Sequence, residues 1–296
     1  MTFRLPNGLC IPSIAFGTGT SWFRGNNDDP VNRKLINCIK NAIELGYRHI
    51  DTAEMYGTER EVGIAIKESI CNRDEIYITT KIYCGLENPE QALNNSLNYL
   101  QTDYIDLYLI HSPYFDKTND DHAIPHIPEN INLEHVWKQM ETFVENGRVK
   151  SIGLANFQIK HIKQILSVAR IKPVVNQIEY HPQLQQRELI QYLNANKILI
   201  EAYTPLACLV HNPGTSLDRI IEQLAQKYQK KQVQVLLKWS LQKQHVVVTT
   251  SSDYTRQKES IDISDFRLSN DDMDKIDEEG SKYYFRKHWK KQIEND

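Results

Sequence analysis

The feature that most constrains the fold is a series of eight short apolar segments that recur along the whole chain. They occupy residues 13–17, 48–51, 75–81, 105–111, 151–156, 174–180, 198–203 and 245–250. Each is nearly continuous in its apolar character rather than alternating, which is typical of strands buried on both faces of a parallel sheet. Segments with helical spacing lie between them. Eight strand–helix units predict an α/β protein, a closed (β/α)8 TIM barrel.

Two of the helical segments carry clear sequence signals. Before the first, Asn88 is a candidate N-cap, Pro89 suits the first turn, and Gln91 would complete a capping box. The apolar or small residues that line one side of these two helices are Leu93, Ser96, Leu97 and Leu100 in the first and Leu217, Ile220, Ile221 and Leu224 in the second.

A doubly wound sheet is the competing fold, and it usually carries an early GxGxxG turn. The sole candidate, GTGTSW at 17–22, lacks the third glycine, so the barrel is favoured. Ahead of it, Asn7-Gly8 between apolar residues predicts a β-hairpin that plugs the bottom of the barrel. We expect one domain over residues 1–296, with the C-terminal tail over the barrel mouth. Residues 112–132 are too long for a simple connection and are interpreted as a functional loop.

Composition excludes several classes of function. Thirty-five basic and thirty-eight acidic residues give a net charge of −3, which argues against a nucleic-acid or membrane surface as the main partner. The five cysteines are scattered without a CxxC pair, so no disulfide framework or zinc ribbon is indicated. We find neither the apolar core of a signal peptide nor a run long enough to span a membrane. The expectation is a cytoplasmic protein, monomeric or weakly dimeric.

Polar side chains end three consecutive predicted strands. Asp51, Lys81 and His111 follow one another at intervals of thirty residues, about one βαβ repeat, and Tyr56 lies in the first of the same loops. In a barrel these groups meet at the C-terminal mouth, where barrel active sites lie. Singly, each has an ordinary explanation as a cap, a surface charge or a packing residue. Four ionisable groups together would be costly to desolvate unless they paired.

The predicted pairing indicates proton transfer. An adjacent Lys81 ammonium favours the phenolate and would lower the pKa of Tyr56 from its ordinary value near 10 toward neutrality. Asp51 would keep the lysine charged, and His111 would orient a substrate oxygen. Such a set protonates an oxygen that is gaining negative charge. It contains no hydride donor, so one must come from a cofactor.

At this point the residues resemble a known family, the aldo-keto reductases, which are NAD(P)H-dependent carbonyl reductases on a (β/α)8 barrel. The resemblance covers nearly the whole chain and rests on DTAEMYGTE, ITTK, YLIHSP, KSIGLANF, VVNQIEYHP and EAYTPL. In the fourth segment Ala155 replaces the usual serine. Among subgroups the chain looks most like fungal NADPH-dependent reductases of α-keto amides and conjugated polyketones.

The resemblance implies roles for individual residues. Asp51, Tyr56, Lys81 and His111 would form the catalytic tetrad, with Tyr56 as proton donor. The cofactor NADPH would be held at the nicotinamide and its ribose by Gly17, Thr18, Gly19, Asp51, Asn156, Gln177 and Tyr203, at the pyrophosphate by Thr204 and Leu206, and at the adenosine end by Thr250, Ser251, Ser252, Arg256, Glu259 and Ser260.

One position departs from the family pattern. Thr250 stands where many members supply a lysine to the cofactor 2′-phosphate, so Arg256 is expected to carry the preference for NADPH. A small-molecule carbonyl, an activated ketone or aldehyde, is the expected substrate. The side chains expected to line its pocket, besides Tyr56 and His111, are Trp22, Tyr114, Phe115 and Trp289. The tail aromatics Tyr283, Tyr284, Phe285 and Trp289 have the alternative role of packing the tail onto the barrel.

Three other functions remain open from the residues. Lys81 at a strand end resembles the Schiff-base lysine of barrel aldolases, although an adjacent aspartate would keep it protonated. His49 and Asp51 project to one face of a strand, but no third ligand joins them, so no metal is expected. A cofactor-binding regulatory subunit on the same scaffold is the non-enzymatic reading.

Overall fold

The barrel predicted from the eight apolar segments is present. The structure is a computed structural model that describes residues 1–115 and 131–296. Its parallel strands are β3 (Ile14–Gly17), β4 (His49–Asp51), β5 (Tyr77–Ile82), β6 (Ile105–Ile110), β7 (Val149–Ala155), β8 (Val175–Glu179), β9 (Leu199–Tyr203) and β10 (Val246–Thr249). They pair in chain order, and β10 closes the barrel against β3. The carboxyl ends of all eight strands therefore open at one mouth.

A hairpin closes the opposite end. Strands β1 (Thr2–Arg4) and β2 (Cys10–Pro12) pair antiparallel, with Gly8 at a φ of 89° in the turn between them. Leu5 and Ile11 pack with apolar residues of β6, β7, β8 and β10, and the Asn7 side chain donates to Ser151 Oγ over 2.9 Å. The plug expected from Asn7-Gly8 is confirmed in position.

Helices surround the strands. Those in the described part of the chain are α1 (Arg33–Glu44), α2 (Glu59–Lys67), α3 (Pro89–Leu100), α4 (Leu133–Glu145), α5 (Ile159–Val168), α6 (Arg187–Ala195), α7 (Ala207–Val210), α8 (Ser216–Tyr228), α9 (Gln232–Gln242), α10 (Tyr254–Ile261), α11 (Asn270–Gly280) and α12 (Lys290–Glu294). Their buried faces and the outward faces of the strands form one large apolar cluster. None of the helices in residues 1–115 and 131–296 has the length and apolar character needed to cross a membrane.

The start of α3 shows where local signals succeed and fail. Asn88 caps the helix by accepting from the Gln91 backbone N–H over 3.2 Å, and Pro89 occupies the first turn. The expected capping box is wrong, because the Gln91 side chain donates to Asn95 Oδ1 over 2.9 Å. Asn95, one turn further along the helix, competes with the Asn88 backbone N–H for the Gln91 side chain.

The C-terminal tail returns to the barrel mouth and is anchored there by Glu179, the last residue of β8. This buried carboxylate accepts the backbone N–H groups of Lys287 and His288, each over 2.8 Å. Trp289 follows in a left-handed conformation with φ 57° and is buried. Most of the loop interpreted as functional, residues 116–130, lies outside the described residues.

Candidate active site

A buried ion pair lies at the centre of the mouth. Lys81 Nζ donates to both carboxylate oxygens of Asp51 and to the Thr52 carbonyl, each over 2.8 Å. Lys81 is fully buried. Burial by itself would lower the pKa of Lys81, but the acidic groups around it, Asp51 foremost, together outweigh burial and the pKa is raised above its ordinary value. The lysine therefore stays charged, as the sequence predicted.

Tyr56 reaches this pair from a short 3-10 helix, Glu54–Tyr56, that follows β4. Its hydroxyl lies 3.5 Å from Lys81 Nζ. The turn ends at Gly57, which has a φ of 65°, and a Cβ there would lie 2.4 Å from the Asn26 backbone nitrogen. Only glycine fits this position, since both the left-handed backbone and the close approach of a second chain segment exclude a side chain. The glycine thereby fixes the turn that aims the phenol.

The acidity of Tyr56 differs from the expectation. Burial raises the pKa of Tyr56 above its ordinary value, and the opposing effect of Lys81 is smaller. The expected lowering is therefore wrong for the protein alone, because removal of water from the hydroxyl penalises the phenolate more than the lysine charge stabilises it. Tyr56 is a neutral hydroxyl donor at neutral pH, and Lys81 limits the penalty when the proton leaves.

His111 faces Tyr56 across the mouth. The two rings meet edge to face with centroids 5.4 Å apart, and Tyr83 approaches His111 in the same manner at 5.8 Å. Burial and the Lys81 charge hold the pKa of His111 well below its ordinary value, so the imidazole is neutral. Its buried Nδ1 has no hydrogen-bond partner among the described residues. A neutral ring of this kind can hydrogen-bond an incoming oxygen without taking its proton.

Three residues expected at a nicotinamide ring lie beside the tetrad. Tyr203 donates to Asn156 Oδ1 over 2.7 Å, and Asn156 Nδ2 donates to the His111 carbonyl over 2.9 Å. Gln177 Nε2 donates to Asp51 Oδ2 over 2.8 Å. The side-chain amides of Asn156 and Gln177 therefore form hydrogen bonds with residues of the tetrad in this structure. A bound nicotinamide carboxamide would replace some of these hydrogen bonds.

The residues expected at the nicotinamide ribose form a narrow cradle on β3. Thr18 donates through its backbone N–H to the Asp51 carbonyl over 2.9 Å and is buried. A Cβ on Gly19 would lie 3.0 Å from the Tyr56 ring, and one on Gly17 would lie 2.9 Å from Val248. The absence of a side chain at Gly19 therefore lets the Tyr56 ring pack against the backbone, and its absence at Gly17 makes room for Val248.

The expected pyrophosphate and adenosine positions follow β9 and β10. Thr204 has a φ of 52°, and Leu206 is the residue that precedes α7. Before the start of α10 lie Thr250, half-buried Ser251 and exposed Ser252, and on the helix itself lie exposed Arg256, half-buried Glu259 and buried Ser260. The Thr250 hydroxyl is a buried polar atom without a partner in the described chain.

Arg256 does not cap the helix on which it lies. The cap of α10 is Asp253, whose side chain accepts the Arg256 backbone N–H over 2.9 Å. Arg256 is exposed and lies in the first turn of α10, and the N-terminus of a helix favours anions. The residues present therefore fit the anionic part of a dinucleotide cofactor.

A group of aromatic rings lies at the barrel mouth, close to His111 and Tyr56. Trp289 lies 5.9 Å from the Tyr83 ring and 6.1 Å from the Tyr114 ring. Tyr83 in turn donates to the Tyr114 carbonyl over 2.7 Å. Trp22 is buried at the same mouth, and its Nε1 has no partner among the described residues. We call Tyr83, Tyr114 and Trp289, whose rings are in contact, the aromatic wall.

The other expected pocket residue and the tail aromatics have different surroundings. Phe115 is half-buried against the main apolar cluster. Tyr284 is exposed, Tyr283 shares a hydrogen bond with Ser216, and Phe285 tilts against His181 at 6.1 Å. Part of the tail therefore packs onto the barrel, as the alternative role expected, while Trp289 packs against Tyr83 and Tyr114 and its role in a substrate pocket stays a prediction.

Several site residues were missed by the sequence argument. Tyr83 and Glu54 come from the same loops as the tetrad, and Glu54 accepts the Tyr83 backbone N–H over 2.9 Å. Glu179 and Glu201 are buried carboxylates on β8 and β9. The sequence signal that could have identified Glu201 is a charged residue within an otherwise apolar strand, the glutamate of ILIEAY. Among the described residues, no group of three metal-ligating side chains is suitably placed to hold an ion.

Comparison with known proteins gives a consistent result. A model of the aldo/keto reductase family matches residues 13–280. The NAD/NADP-dependent indole-3-acetaldehyde reductase of Schizosaccharomyces pombe is 37% identical over 95% of this chain and 97% of its own length. Glyoxal reductase of Bacillus subtilis is 40% identical over 93% and 91%. The NADPH-dependent alpha-keto amide reductase of Saccharomyces cerevisiae is 35% identical over 98% and 94%.

Solved structures agree in fold. The aldose reductase from Schistosoma japonicum superposes with a TM-score of 0.83 at 31% identity, over all of this chain and 97% of that one. An aldo/keto reductase from Brucella melitensis gives a TM-score of 0.80 at 34% identity, over 94% and 98%.

Proposed function

Because the chain belongs to the aldo/keto reductase family, we propose that it reduces the carbonyl group of a ketone or aldehyde with NADPH and uses Tyr56 as the proton donor. The observation that carries this proposal is the arrangement of three groups. The Tyr56 hydroxyl lies 3.5 Å from Lys81 Nζ, and Lys81 is clamped at 2.8 Å by Asp51. The reductases among the relatives supply the class of reaction.

Each residue of the site then has its own role in the proposed reaction. NADPH, when bound, supplies the hydride to the carbonyl carbon. The neutral His111 ring and the Tyr56 hydroxyl bind the carbonyl oxygen and orient it. As negative charge develops on that oxygen, Tyr56 donates its proton, and the Lys81 ammonium stabilises the phenolate that remains. Asp51 keeps Lys81 charged throughout, so the site returns to its starting state when the phenol is protonated again.

The aromatic wall supports a finer proposal about the substrate. Its rings offer apolar aromatic groups near two hydrogen-bonding side chains, Tyr56 and His111. Such a site suits a carbonyl that carries a ring or a second carbonyl beside it. We therefore propose activated ketones and aldehydes as substrates, namely α-keto amides, α-diketones, ketolactones and α-oxoaldehydes. Names of the relatives, among them glyoxal reductase and alpha-keto amide reductase, support this class.

The preference for NADPH rests on Arg256. Its exposed guanidinium at the N-terminus of α10 suits a 2′-phosphate, to which a planar fork can donate two hydrogen bonds. Thr250 adds an unpaired hydroxyl in place of a lysine. The serines Ser251 and Ser252 lie in the same turn and offer further polar groups.

A direct test follows NADPH absorbance with purified protein and an α-diketone. Oxidation of NADPH that requires both protein and diketone supports the proposal. Absence of turnover with several dicarbonyls, despite saturable NADPH binding, would instead support the cofactor-binding regulatory subunit. Borohydride trapping with a carbonyl substrate covers the third possibility, since only a Schiff base on Lys81 would leave a reduced adduct.

Other expectations stay predictions. We propose that residues 1–296 act as one domain, that the protein is a monomer or weak dimer, and that it acts in the cytoplasm.

A further inference from the structure

A second buried carboxylate lies beneath the tetrad, and the proposed reaction does not use it. Glu201 is in the middle of β9, fully buried, and is the register partner of Gln177 in β8. Neither of its carboxylate oxygens makes a hydrogen bond of good geometry among the described residues, and the neighbouring Gln177 amide, which donates to Asp51, lowers the pKa of Glu201 less than burial raises it. An ionised carboxylate left in this way would be strongly penalised, so the group must keep its proton until another charge compensates for it.

The nearest basic side chain does not provide that compensation. His49 Nε2 is 3.8 Å from Glu201 Oε1. However, His49 Nδ1 lies 3.3 Å from the Pro12 carbonyl, which can only accept, so this nitrogen carries the hydrogen. Nε2 then accepts from the Thr79 hydroxyl over 2.7 Å. Burial lowers the pKa of His49 to about 4, which keeps the ring neutral at the pH of an assay.

The titratable groups that face Glu201 come from three elements besides β9. His49 and Asp51 project from β4, Tyr77 and Lys81 from β5, and Tyr56 from the turn after β4. Asp51 and Lys81 already form a neutral pair. A negative charge on Glu201 would therefore be a second anion opposite a single lysine.

We propose that Glu201 is a positioning residue that acts on Tyr56 through Lys81: it is protonated at neutral pH, and when it loses its proton it adds a negative charge beside Lys81 that opposes formation of the Tyr56 phenolate. This inference rests on the proposed function and extends it. Burial and Asp51 raise the pKa of Glu201 to about 8. Its charge in turn raises the pKa values of both Tyr56 and Lys81.

The consequence is a carbonyl reductase whose proton donor is protected at alkaline pH. Reduction needs Tyr56 protonated, whereas alcohol oxidation needs the phenolate. Ionisation of Glu201 would extend reduction to higher pH and delay oxidation. In Glu201→Gln the amide has nearly the shape of the protonated carboxyl but cannot ionise. Comparison with the wild type therefore separates the effect of the charge from the effect of side-chain packing.

The first experiment compares the pH dependence of kcat in wild type and Glu201→Gln, for reduction of an α-diketone and oxidation of the matching alcohol. The two proteins should agree near pH 6. The alkaline loss of reduction should occur about one pH unit lower in the variant, and oxidation should rise about one unit earlier. Glu141→Gln is the matched control, because Glu141 is also fully buried but lies on α4 and binds the backbone of residues 170 and 171. Superimposable profiles for wild type and Glu201→Gln would overturn the positioning role.

A second measurement does not depend on activity. The folded-state pKa of Glu201 lies above the unfolded value, so its protonated form favours the folded protein at low pH. That contribution is lost as pH rises from about 4.5 to about 8. Glu201→Gln should therefore gain free energy of unfolding relative to wild type across this window. A stability difference that does not change with pH would overturn the inference, even if the reductase proposal holds.

If Glu201→Gln does not fold, infrared titration of Glu59→Gln provides the same test, because Glu59 is another buried carboxyl, with a pKa raised to about 7, and would otherwise contribute a band of its own. A protonated-carboxyl band that disappears between about pH 7 and about pH 9 supports the proposal. Its absence at pH 6 contradicts it. Failure of turnover in all proteins, with the stability difference as expected, would contradict the reductase proposal and the positioning role but not the proton on Glu201.

Discussion

At the scale of single residues, the site depends on one charged lysine held in a place that excludes water. Lys81 is fully buried and donates over short distances to Asp51 and the Thr52 carbonyl, with the Tyr56 hydroxyl further away at 3.5 Å. It is also the main group that offsets the burial of Tyr56. The same side chain therefore serves both the stability of the barrel mouth and the acidity of the phenol.

Replacement of this lysine by methionine should separate the two roles. Lys81→Met leaves Asp51 buried without its partner, which typically costs about 3–5 kcal/mol, and removes the charge that stabilises the phenolate. We expect a loss of free energy of unfolding together with a loss in kcat of at least about 10²–10⁴-fold. In the double variant with Asp51→Asn, stability should recover while kcat stays low. Recovery of both would show that Lys81 acts only in folding.

Arg256 carries a second prediction at this scale. A charge-assisted hydrogen bond contributes about 1.5–3 kcal/mol, so Arg256→Ala should reduce the ratio of kcat/KM for NADPH over NADH by about 10–100-fold. Thr250→Lys should tighten NADPH binding, because it adds a cation where the chain has a hydroxyl. Lys258→Ala is the control, since Lys258 is an exposed basic residue on the same helix. Equal use of both cofactors by the wild type would refute the NADPH proposal.

At the scale of elements, the C-terminal tail packs on the mouth of a barrel whose eight strands close without it. Glu179 anchors its backbone, and Trp289 is the side chain that reaches the aromatic wall. The sequence singled out Trp289 among the tail aromatics as a pocket residue, with packing of the tail onto the barrel as the alternative role. The left-handed backbone at Trp289 depends on contacts with loops far away along the chain, which local patterns do not encode.

The tail should therefore affect the carbonyl substrate more than the cofactor. Deletion of residues after Lys282, or Trp289→Ala alone, is expected to raise KM for bulky diketones and alter the order of preferred substrates, with little change in the dissociation constant of NADPH. Tyr284→Ala should have neither effect, because that tail aromatic is exposed. A change confined to NADPH affinity would place the tail at the cofactor instead.

At the scale of the whole molecule, the sequence predicted the parts that follow from periodicity. Buried parallel strands have a composition that can be recognised, and the thirty-residue spacing placed Asp51, Lys81 and His111 at one mouth. The properties that the sequence could not predict depend on how completely the folded barrel shields individual side chains from water. The raised pKa of Tyr56 and the inward position of Glu201 both follow from how completely the closed barrel buries these groups. The capping box at α3 failed for a smaller reason, the competition of Asn95 for one side chain.

The measurement that tests the central claim most directly is single-turnover oxidation of NADPH by an α-diketone in wild type and Tyr56→Phe. Tyr192→Phe serves as the control, because it removes a phenol from the outer helix α6. NADPH affinity is measured separately by fluorescence. The account predicts that Tyr56→Phe binds NADPH like the wild type but turns over about 10²–10⁴-fold more slowly, while Tyr192→Phe is unchanged. A Tyr56→Phe rate within a factor of about two of the wild type, with hydride transfer shown to limit it, would contradict the assignment of Tyr56 as the proton donor.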